Sequence, residues 1–396
     1  MPDEKNLSNL RERMESLKDQ VSSNGDSSER EEGNHVTAGQ ITEAVAASQK
    51  PTVSEEKESG EEADSPKGPV GLDIGTSHII AAENRVNRIH TVKQLNAFFT
   101  MPRSKFARVV LDQQDIMYFE DDDLFYIIGY SADNFANMFN MSTRRPIKNG
   151  LLSPNEKEGL TIVQAVVETL IQKPKKFGEK ICVVVPGVPI DGAGPGAVVY
   201  HESVLKMFLS QMGYSPLSIN EGMAIVLSEL ATEDYTGIGI SMGGGMCNVC
   251  LSYLSFPVIT FSMQSAGDYI DEMVGAVIAE PATKIKGIKE EELDLSRDPK
   301  DNIHTALHIF YDDLIYKLLN NLQRALTSTD NIPKIAKSIP IVLSGGTALP
   351  KGLKNRFNKV LDKIDLPVEI SDVRLAEDPI NTTAKGALIM AMTEAD

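Results

Sequence analysis

The sequence contains no tryptophan and only three cysteines among its 396 residues. So few cysteines exclude a fold built on disulfides and suggest a reducing compartment. The sequence also lacks any run of about eighteen apolar residues, the length that a membrane-spanning helix needs. Its first residues, MPDEKNLSNL, are too charged for the apolar region of a signal peptide. We therefore expect a cytoplasmic protein.

Basic residues are fewer than acidic residues in this sequence. The chain has 39 Lys and Arg against 56 Asp and Glu, which gives a formal net charge of −17. Binding to phosphate backbones needs a basic face, so this balance argues against a nucleic-acid partner. An anionic membrane leaflet would also repel the chain, so we expect any membrane association to be indirect. At roughly 100–200 residues per domain, the length allows two to four compact domains.

The negative charge is concentrated in the first 68 residues, which hold 16 acids and 8 bases. Residues 22–68 have almost no large apolar side chains, so we expect an acidic disordered tail over residues 1–68. At about residues 4–21, apolar side chains recur at spacings of three and four, which predicts a short amphipathic helix. A transient helix and a docking or coiled-coil segment both fit this pattern. A membrane-lying helix is disfavoured because no Trp or Phe would anchor it.

Beyond Gly68 the pattern changes to apolar strands that end near Gly or Pro, alternating with amphipathic helices. The predicted strands are 70–74, 181–186, 238–242, 249–254 and 341–344. The predicted helices are 155–172, 198–212, 221–231, 268–279, 302–326 and 349–364. This alternation predicts an α/β architecture with helices on both faces of the sheets. Residues 106–130 are typical of a small insertion that is mostly β.

Three glycine turns follow predicted strands. In the first, GLDIGTSH at 71–78, Gly75 permits a tight turn in which the N–H groups of Thr76 and Ser77 could face an anion. Asp73 ends the strand and is suited to Mg²⁺, usually through water, because that ion prefers oxygen ligands and keeps several waters. A hairpin with a capping Asp fits the segment equally well.

The second turn, SMGGGMCN at 241–248, places Gly243, Gly244 and Gly245 between two predicted strands. Three successive glycines carry an entropic penalty that a plain hairpin rarely needs, and they permit close backbone approach to a bulky group such as a phosphate. The adjacent Cys247 and Cys250 face opposite sides of a strand, which disfavours a metal site.

The third turn lies within IVLSGGTALPKGL at 341–353, where Gly345 and Gly346 would let a flat ring lie against the backbone. A helix is expected to start near Leu349 and Pro350, since Pro is favoured in the first turn of helices. An ordinary strand-to-helix turn fits this segment equally well.

Taken in order, these segments resemble the motifs of the actin-type ATPase superfamily. DIGTS at 73–77 is similar to its first phosphate loop, GGG at 243–245 to its second, and SGGT at 344–347 to its adenosine motif. INEGMA and DPINTTAKGAL resemble its two connecting helices, and SAGDYIDE resembles a further turn beside the nucleotide. The resemblance runs from about Pro69 to the C-terminus. It is strongest to the bacterial filament branch of MreB and MamK, through GTSH, TRRPIKNGLLS and AGDYIDE.

This resemblance implies two related, ribonuclease-H-like α/β lobes around a cleft for ATP and Mg²⁺. Lobe I would span 69–222, with a small inserted subdomain at about 101–147. Lobe II would span 223–396, with an insertion at about 268–335.

The resemblance also implies a role for individual residues. Asp73 would act on the metal through water, and Glu221 would orient the attacking water. Gly267 and Asp268 would flank the ribose. The nucleotide would also contact the three turns, at Gly75, Thr76, Ser77, Gly243, Gly244, Gly245, Gly345, Gly346 and Thr347.

The second turn departs from the family pattern DxGxGT, because Ser241 stands in the Asp position and Met246 in the Thr position. Loss of one group that acts in the transition state typically costs about 10²–10³ in rate. We therefore expect nucleotide binding with slow or absent hydrolysis. Arg144 and Arg145 could clamp a phosphate or a neighbouring subunit, but a solvated loop is the favoured interpretation.

The implied function is a cytoskeletal protein that binds ATP and polymerises head to tail, for cell shape or organelle organisation. Its tail would recruit other proteins or limit bundling. The alternative is a nonpolymerising nucleotide-binding adaptor, which the altered second turn also fits. A sugar kinase is disfavoured by the missing Asp.

Overall fold

The computed structural model describes residues 68–395 apart from 87, 140, 193, 330–332, 334 and 336. The predicted acidic tail and its short helix therefore lie outside the described residues, except for Gly68. Within the described ranges, no helix is long and apolar enough to cross a bilayer.

The described residues form fifteen strands and ten α-helices. The strands are β1 (Val70–Ile74), β2 (His78–Arg85), β3 (Arg88–Leu95), β4 (Phe98–Pro102), β5 (Tyr118–Asp121), β6 (Leu124–Ile128), β7 (Ile147–Lys148), β8 (Leu151–Leu152), β9 (Lys180–Val185), β10 (Ser215–Asn220), β11 (Gly237–Met242), β12 (Cys247–Tyr253), β13 (Phe256–Met263), β14 (Ile339–Ser344) and β15 (Ile370–Leu375). The helices are α1 (Lys105–Gln113), α2 (Gly129–Met138), α3 (Gly159–Leu170), α4 (Pro195–Gln211), α5 (Glu221–Glu229), α6 (Gly267–Ile278), α7 (Ala282–Glu291), α8 (Asn302–Ser328), α9 (Leu353–Leu361) and α10 (Thr382–Thr393).

Two five-stranded sheets share one topology. In the first, with the order β3-β2-β1-β9-β10, an antiparallel meander is continued by two strands parallel to β1. The second has the order β13-β12-β11-β14-β15 and repeats this arrangement, with β14 and β15 parallel to β11. The predicted α/β fold of two related lobes is thereby confirmed.

Two helices connect the sheets and cross each other between them. Helix α5 follows the first sheet in the chain but packs on β11 and β12, whereas α10 follows the second sheet and packs on β1 and β9. The helices meet closely, since a Cβ on Gly386 would lie 1.8 Å from the carbonyl oxygen of Ala224. Only glycine permits this close approach. Each sheet is thereby packed against the helix that follows the other sheet in the chain.

The largest apolar core belongs to the second lobe and is organised by α8. An apolar stripe along this helix, at helical spacing, is fully buried. The residues of the stripe are Leu307, Phe310, Leu314, Leu318 and Leu322.

The inserted region after β3 differs from the prediction of a mostly β segment. Strands β4, β6 and β5 form a small sheet, but α1 occupies much of the region. Ser104 caps α1 by accepting a hydrogen bond from the N–H of Ala107 at 3.0 Å. The side chains of Ala107, Val110 and Leu111 are buried at helical spacing, so tertiary packing prevails over the β propensity of valine.

The helix expected near Leu349 and Pro350 begins later, at Leu353. A single 3₁₀ turn at Gly346–Ala348 comes first, and Gly352 then adopts a φ of 85°, in the left-handed region. A positive φ interrupts a right-handed helix, so the two turns cannot merge. Helix α3 also begins later than predicted, at Gly159.

Candidate functional site

A cleft of about 730 Å³ lies where β1, β11 and β14 end. The three glycine turns that follow these strands all line it, together with Asp73, Glu221 and Asp268. Ligand crevices in α/β folds commonly form at the carboxyl ends of strands, because the loops there converge from different parts of the chain. The volume is in the usual range for a small-molecule site, roughly 300–1,000 Å³.

The first turn is closed by a hydrogen bond from the N–H of Gly75 to the carbonyl oxygen of His78 at 2.9 Å. The Asn96 side chain donates to the Gly75 carbonyl at 2.8 Å, which fixes the turn from behind. Thr76 is buried, and its hydroxyl oxygen accepts from the N–H of Gly150 at 3.0 Å. The hydroxyl proton of Thr76 is left to donate into the cleft.

The second turn faces the first across the cleft at very short range. A Cβ on Gly244 would lie 2.5 Å from the Ser77 hydroxyl oxygen, and one on Gly245 would lie 2.3 Å from the Thr76 hydroxyl oxygen. A side chain at Gly245 would also meet the backbone nitrogen of Gly150 at 2.8 Å, so glycine at this position lets the two turns approach one another. The N–H of Asp268 donates to the carbonyl of Gly244 at 2.8 Å, so the start of α6 supports the turn.

The third turn packs directly beneath the second. Gly345 has a φ of 92°, and a Cβ there would lie 2.3 Å from the Met242 carbonyl oxygen. Buried Thr347 donates its hydroxyl to the carbonyl of Gly243 at 2.8 Å. Gly346 lies on the cleft wall beside them. The second and third turns therefore form one rigid wall of the cleft.

Gly267 does not line the cleft, although the resemblance to the actin-type superfamily implies a position beside the ribose. Its N–H donates to the Gly243 carbonyl at 3.1 Å, and its own carbonyl accepts from the Lys289 ammonium at 2.9 Å. Lys289 also pairs with buried Asp271 at 2.7 Å. Burial raises the pKa of Asp271 to about 6, against the opposing effect of the Lys289 charge. Gly267 thus supports the turn, whereas Asp268 lines the cleft.

Asp268 is held from the opposite lobe by Arg145. One guanidinium nitrogen donates to both carboxylate oxygens, at 3.1 and 3.0 Å. Arg144 is exposed, in agreement with the expected solvated loop, although it pairs with Glu156 and lies over the Phe98 ring, 4.6 Å from its centroid. Arg145 instead forms an ion pair across the cleft, so the expected solvated loop was wrong for Arg145.

Two partly buried carboxylates meet at the inner end of the cleft. Asp73 is the penultimate residue of β1 and accepts a hydrogen bond from the Thr383 hydroxyl at the start of α10. Glu221 is the first residue of α5 and accepts from Ser241 at 2.5 Å and from the Asn248 amide. Burial raises the pKa of both carboxyl groups, and the Asp73 charge raises that of Glu221 further.

This donor set fits a magnesium ion that keeps its waters. Among the described residues, no three His, Cys, Asp or Glu side chains are grouped to enclose a metal. Mg²⁺ rarely needs such a cage, since one or two carboxylates with waters and substrate phosphates are its usual ligands. The negative charge of Asp73 raises the pKa of the neighbouring Glu221, and a divalent cation at this point would neutralise that charge. Asp73 and Glu221 therefore suit a water-mediated site.

Several residues of the site escaped the sequence analysis. Asn248 could have been found, because the hairpin register pairs it with Ser241 and both side chains then point to one face. Thr383 lies inside the segment that resembles the second connecting helix. Lys289 and the buried Tyr311, which also line the cleft, carry no local sequence signal.

The two lobes, the crossed helices and the cleft between three glycine turns define the actin-like fold. A family model described as Volactin matches residues 69–391. The chain therefore belongs to the volactin family. No curated protein matches the sequence.

Solved structures agree on the fold. A MamK double helical filament is 18% identical, with a TM-score of 0.61 over 82% of this chain and 98% of that chain. MreB5 of Spiroplasma citri bound to AMPPNP is 14% identical, with a TM-score of 0.60 over 84% and 98%. EutJ of Carboxydothermus hydrogenoformans is 17% identical, with a TM-score of 0.50 over 83% and 92%. The predicted resemblance to bacterial actin-like proteins is thus confirmed for the fold.

Proposed function

We propose that this protein binds ATP with Mg²⁺ in the cleft between its lobes and assembles head to tail into filaments, with slow hydrolysis. The observation that carries the proposal is the convergence of three separate glycine turns on one cleft, at Gly75, Gly243 to Gly245, and Gly345. Backbone N–H groups in such turns are suited to phosphate oxygens, and a glycine pair is suited to a flat base.

Each residue at the inner end has a distinct role in this proposal. Asp73 would hold Mg²⁺ through water, and the ion when bound would offset charge on the phosphates. Glu221 would accept a hydrogen bond from the attacking water and so orient it. Ser241 and Asn248 hold the Glu221 carboxylate in place. Because Ser241 brings no second carboxylate to this point, we expect slow turnover.

The remaining cleft residues are proposed to hold the rest of the nucleotide. Thr76, Ser77 and the second turn would donate to phosphates, and Asp268 would lie beside the ribose while it stays paired with Arg145. Gly346 and Thr347 would lie on the base side. In support, the MreB5 structures carry AMPPNP or ADP in the same fold.

Filament formation is proposed because head-to-tail contacts between identical subunits propagate without closing. The MamK structure with this fold is a double helical filament, and a non-polymerising MamK mutant is bound to AMPPNP. The proposed location is the cytoplasm, which the three free buried cysteines support. Other proteins would bind through the acidic tail.

The decisive experiment compares negative-stain electron microscopy of the purified protein with and without Mg-ATP, alongside the binding constant of ATP. Filaments that appear only with Mg-ATP support the proposal. Glu221→Gln provides the matched variant: it should still bind ATP and polymerise, while phosphate release falls about 10-fold or more.

Two other outcomes would change the assignment. Dispersed particles with bound ATP would favour the nonpolymerising adaptor. The observation in favour of that function is that Ser241 stands where the actin-type ATPase superfamily pattern has Asp. Failure to bind ATP at all would contradict both functions.

A further inference from the structure

A lysine-rich loop with an exposed aromatic ring lies between α3 and β9. Residues 173–180, KPKKFGEK, contain four lysines and one acid in a chain of net charge −17. The Phe177 side chain is 91% exposed, the second highest value among the large apolar residues of the described chain. An apolar ring among lysines is an unusual surface for so acidic a protein, and it suggests a partner with negative charge.

The loop is fixed in place, although its tip is exposed. The N–H of Gly178 donates to the Gly213 carbonyl at 2.8 Å, and the Tyr214 hydroxyl donates to the carbonyl of Gln172 at 2.7 Å. The N–H of Lys176 donates to the Glu179 carboxylate at 3.2 Å. A preformed loop loses little conformational entropy when a partner docks on it.

The N-terminal tail enters the fold beside this loop. Strand β1 is parallel to β9, and Val70 pairs with Ile181, so the start of β1 is one strand away from the end of the loop. Parallel neighbours lie about 4.8 Å apart. The chain that precedes Val70 therefore emerges next to Lys180 and the residues before it.

The segment that emerges there is strongly acidic. Residues 55–64, EEKESGEEAD, contain six acids and one lysine. The six steps along the chain from Asp64 to Val70 span up to about 20 Å when extended, which is ample to reach the loop. A tether this short corresponds to an effective concentration of about 1 mM or more, so even a weak contact would form within one molecule.

We propose that the acidic segment 55–64 docks on the lysine loop 173–180 of the same molecule and covers Phe177. This contact goes beyond the proposed function, because it requires neither nucleotide nor polymerisation. Charge complementarity and the position of β1 favour the tail over an anionic lipid, since the whole-chain charge opposes approach to an anionic membrane. The contact removes this surface from encounters with other copies of the chain.

The first test uses the absence of tryptophan. Phe177→Trp in the full chain gives one fluorescent reporter at the loop tip. Docking predicts a blue-shifted emission with restricted quenching by acrylamide. Neutralising the six acids of the segment should shift the emission to the red and raise quenching about twofold, because the tether alone then provides no attraction. The changes are Glu→Gln at 55, 56, 58, 61 and 62, and Asp64→Asn.

The matched control removes six charges elsewhere in the tail, by Glu→Gln at 12, 15, 29, 31, 32 and 43. Its emission and quenching should equal those of the unmodified tail. Raising the salt to 1 M, where the Debye length is about 3 Å, should have the same effect on emission and quenching as neutralising the six acids of 55–64. Equal quenching with and without the six acids of 55–64 would overturn the proposal.

Other partners of the lysine loop 173–180 would give different results in the same assay. Quenching that depends on protein concentration would assign the segment to a second copy and overturn docking within one molecule. A blue shift that appears only with phosphatidylserine vesicles would assign the loop to an anionic membrane instead.

A second measurement needs no substitution. Carbodiimide treatment of the dilute unmodified protein should join lysines of 173–180 to acids of 55–64, as read by peptide mass mapping of the monomer. Links from the segment to lysines elsewhere, with none to this loop, would contradict the proposal.

Discussion

The Ser241 hydroxyl donates to the Glu221 carboxylate over 2.5 Å, joining β11 of the second lobe to the first residue of α5. The pattern of the actin-type ATPase superfamily, which the second turn resembles, has an Asp at the position of Ser241. The inner end of the cleft therefore has two carboxylates, Asp73 and Glu221, where that pattern would bring a third. The serine is a donor in place of an acceptor. This exchange stabilises Glu221 without a cation, and it removes one acceptor for the waters around Mg²⁺.

Restoring the acid, by Ser241→Asp, should destabilise the protein when Mg²⁺ is absent. A carboxylate at this position would lie against Glu221 with no counter-charge, and an uncompensated buried charge costs about 3–5 kcal/mol. Mg²⁺ with ATP should recover most of that loss, because a ligand that binds only the folded state stabilises it. Denaturant unfolding with EDTA and with Mg-ATP measures both effects.

The control for this change is Ser371→Asp on exposed β15, which should alter the unfolding free energy by about 0.5 kcal/mol or less. If Ser241→Asp is as stable as the unmodified protein in EDTA, the serine is not what accommodates Glu221.

Breaking the ion pair between Arg145 and Asp268 should speed nucleotide release. The pair bridges the lobes, and both side chains are about a quarter exposed, so its strength is limited to about 1 kcal/mol. Arg145→Gln should therefore raise the dissociation rate of a fluorescent ATP analogue about fivefold, as measured by stopped flow.

Arg144→Gln is the matched control, because Arg144 pairs with Glu156 on its own lobe and makes no contact across the cleft with Asp268. A double substitution with Asp268→Asn should accelerate release by less than the product of the two single effects, because both changes remove the same ion pair. Full additivity of the two changes would mean that the pair does not hold the cleft.

The sequence predicts much of this fold because the signals are local. Each strand that leads into the cleft is apolar and ends at a glycine turn, so β1, β11 and β14 were placed within two residues. Contacts across the cleft carry no such signal. Arg145 and Asp268 are 123 positions apart and meet only when the lobes close. The hydroxyl of Ser241 likewise gives no hint of which carboxylate it will reach.

The prediction for helix α1 was wrong for a different reason, because the local sequence there favoured a strand. The valines of α1 favour a strand by propensity, yet the Ser104 cap and the spacing of Ala107, Val110 and Leu111 select a helix. The small sheet formed by β4 to β6 lies on the same side as those apolar residues, in one core cluster with them. Packing against that sheet decides the structure, and it could not be weighed before the strand order was known.

Gly245→Ala should lower the stability of the closed arrangement. The new Cβ would lie 2.3 Å from the Thr76 hydroxyl oxygen and 2.8 Å from the backbone nitrogen of Gly150, so the two turns must separate. Overpacking of this kind costs about 1–3 kcal/mol. Thermal unfolding should show a clear loss, and ATP affinity should fall with it. Gly196→Ala in α4, where a Cβ meets nothing within 4 Å, should leave both unchanged or slightly raise stability.

Acid sensitivity should depend on His201, which is buried in α4 and accepts a hydrogen bond from the N–H of Leu152 at 3.2 Å. Burial lowers the pKa of His201 from 6.5 to about 4. Since the folded pKa lies below the unfolded one, the unfolded chain takes up the proton first. The contribution of His201 to stability is therefore complete above pH 6.5 and is lost as the pH falls towards 4.

The loss is at most about 3 kcal/mol for this one group, because each pKa unit corresponds to about 1.4 kcal/mol. His201→Asn keeps an acceptor for Leu152 and removes the titration, so the unfolding free energy should fall less steeply between pH 6.5 and 4. His90→Asn on the exposed face of β3 is the control and should keep the original slope. Equal slopes in all three proteins would show that His201 is protonated as readily in the folded chain as in the unfolded one, and that its buried hydrogen bond does not select the neutral form.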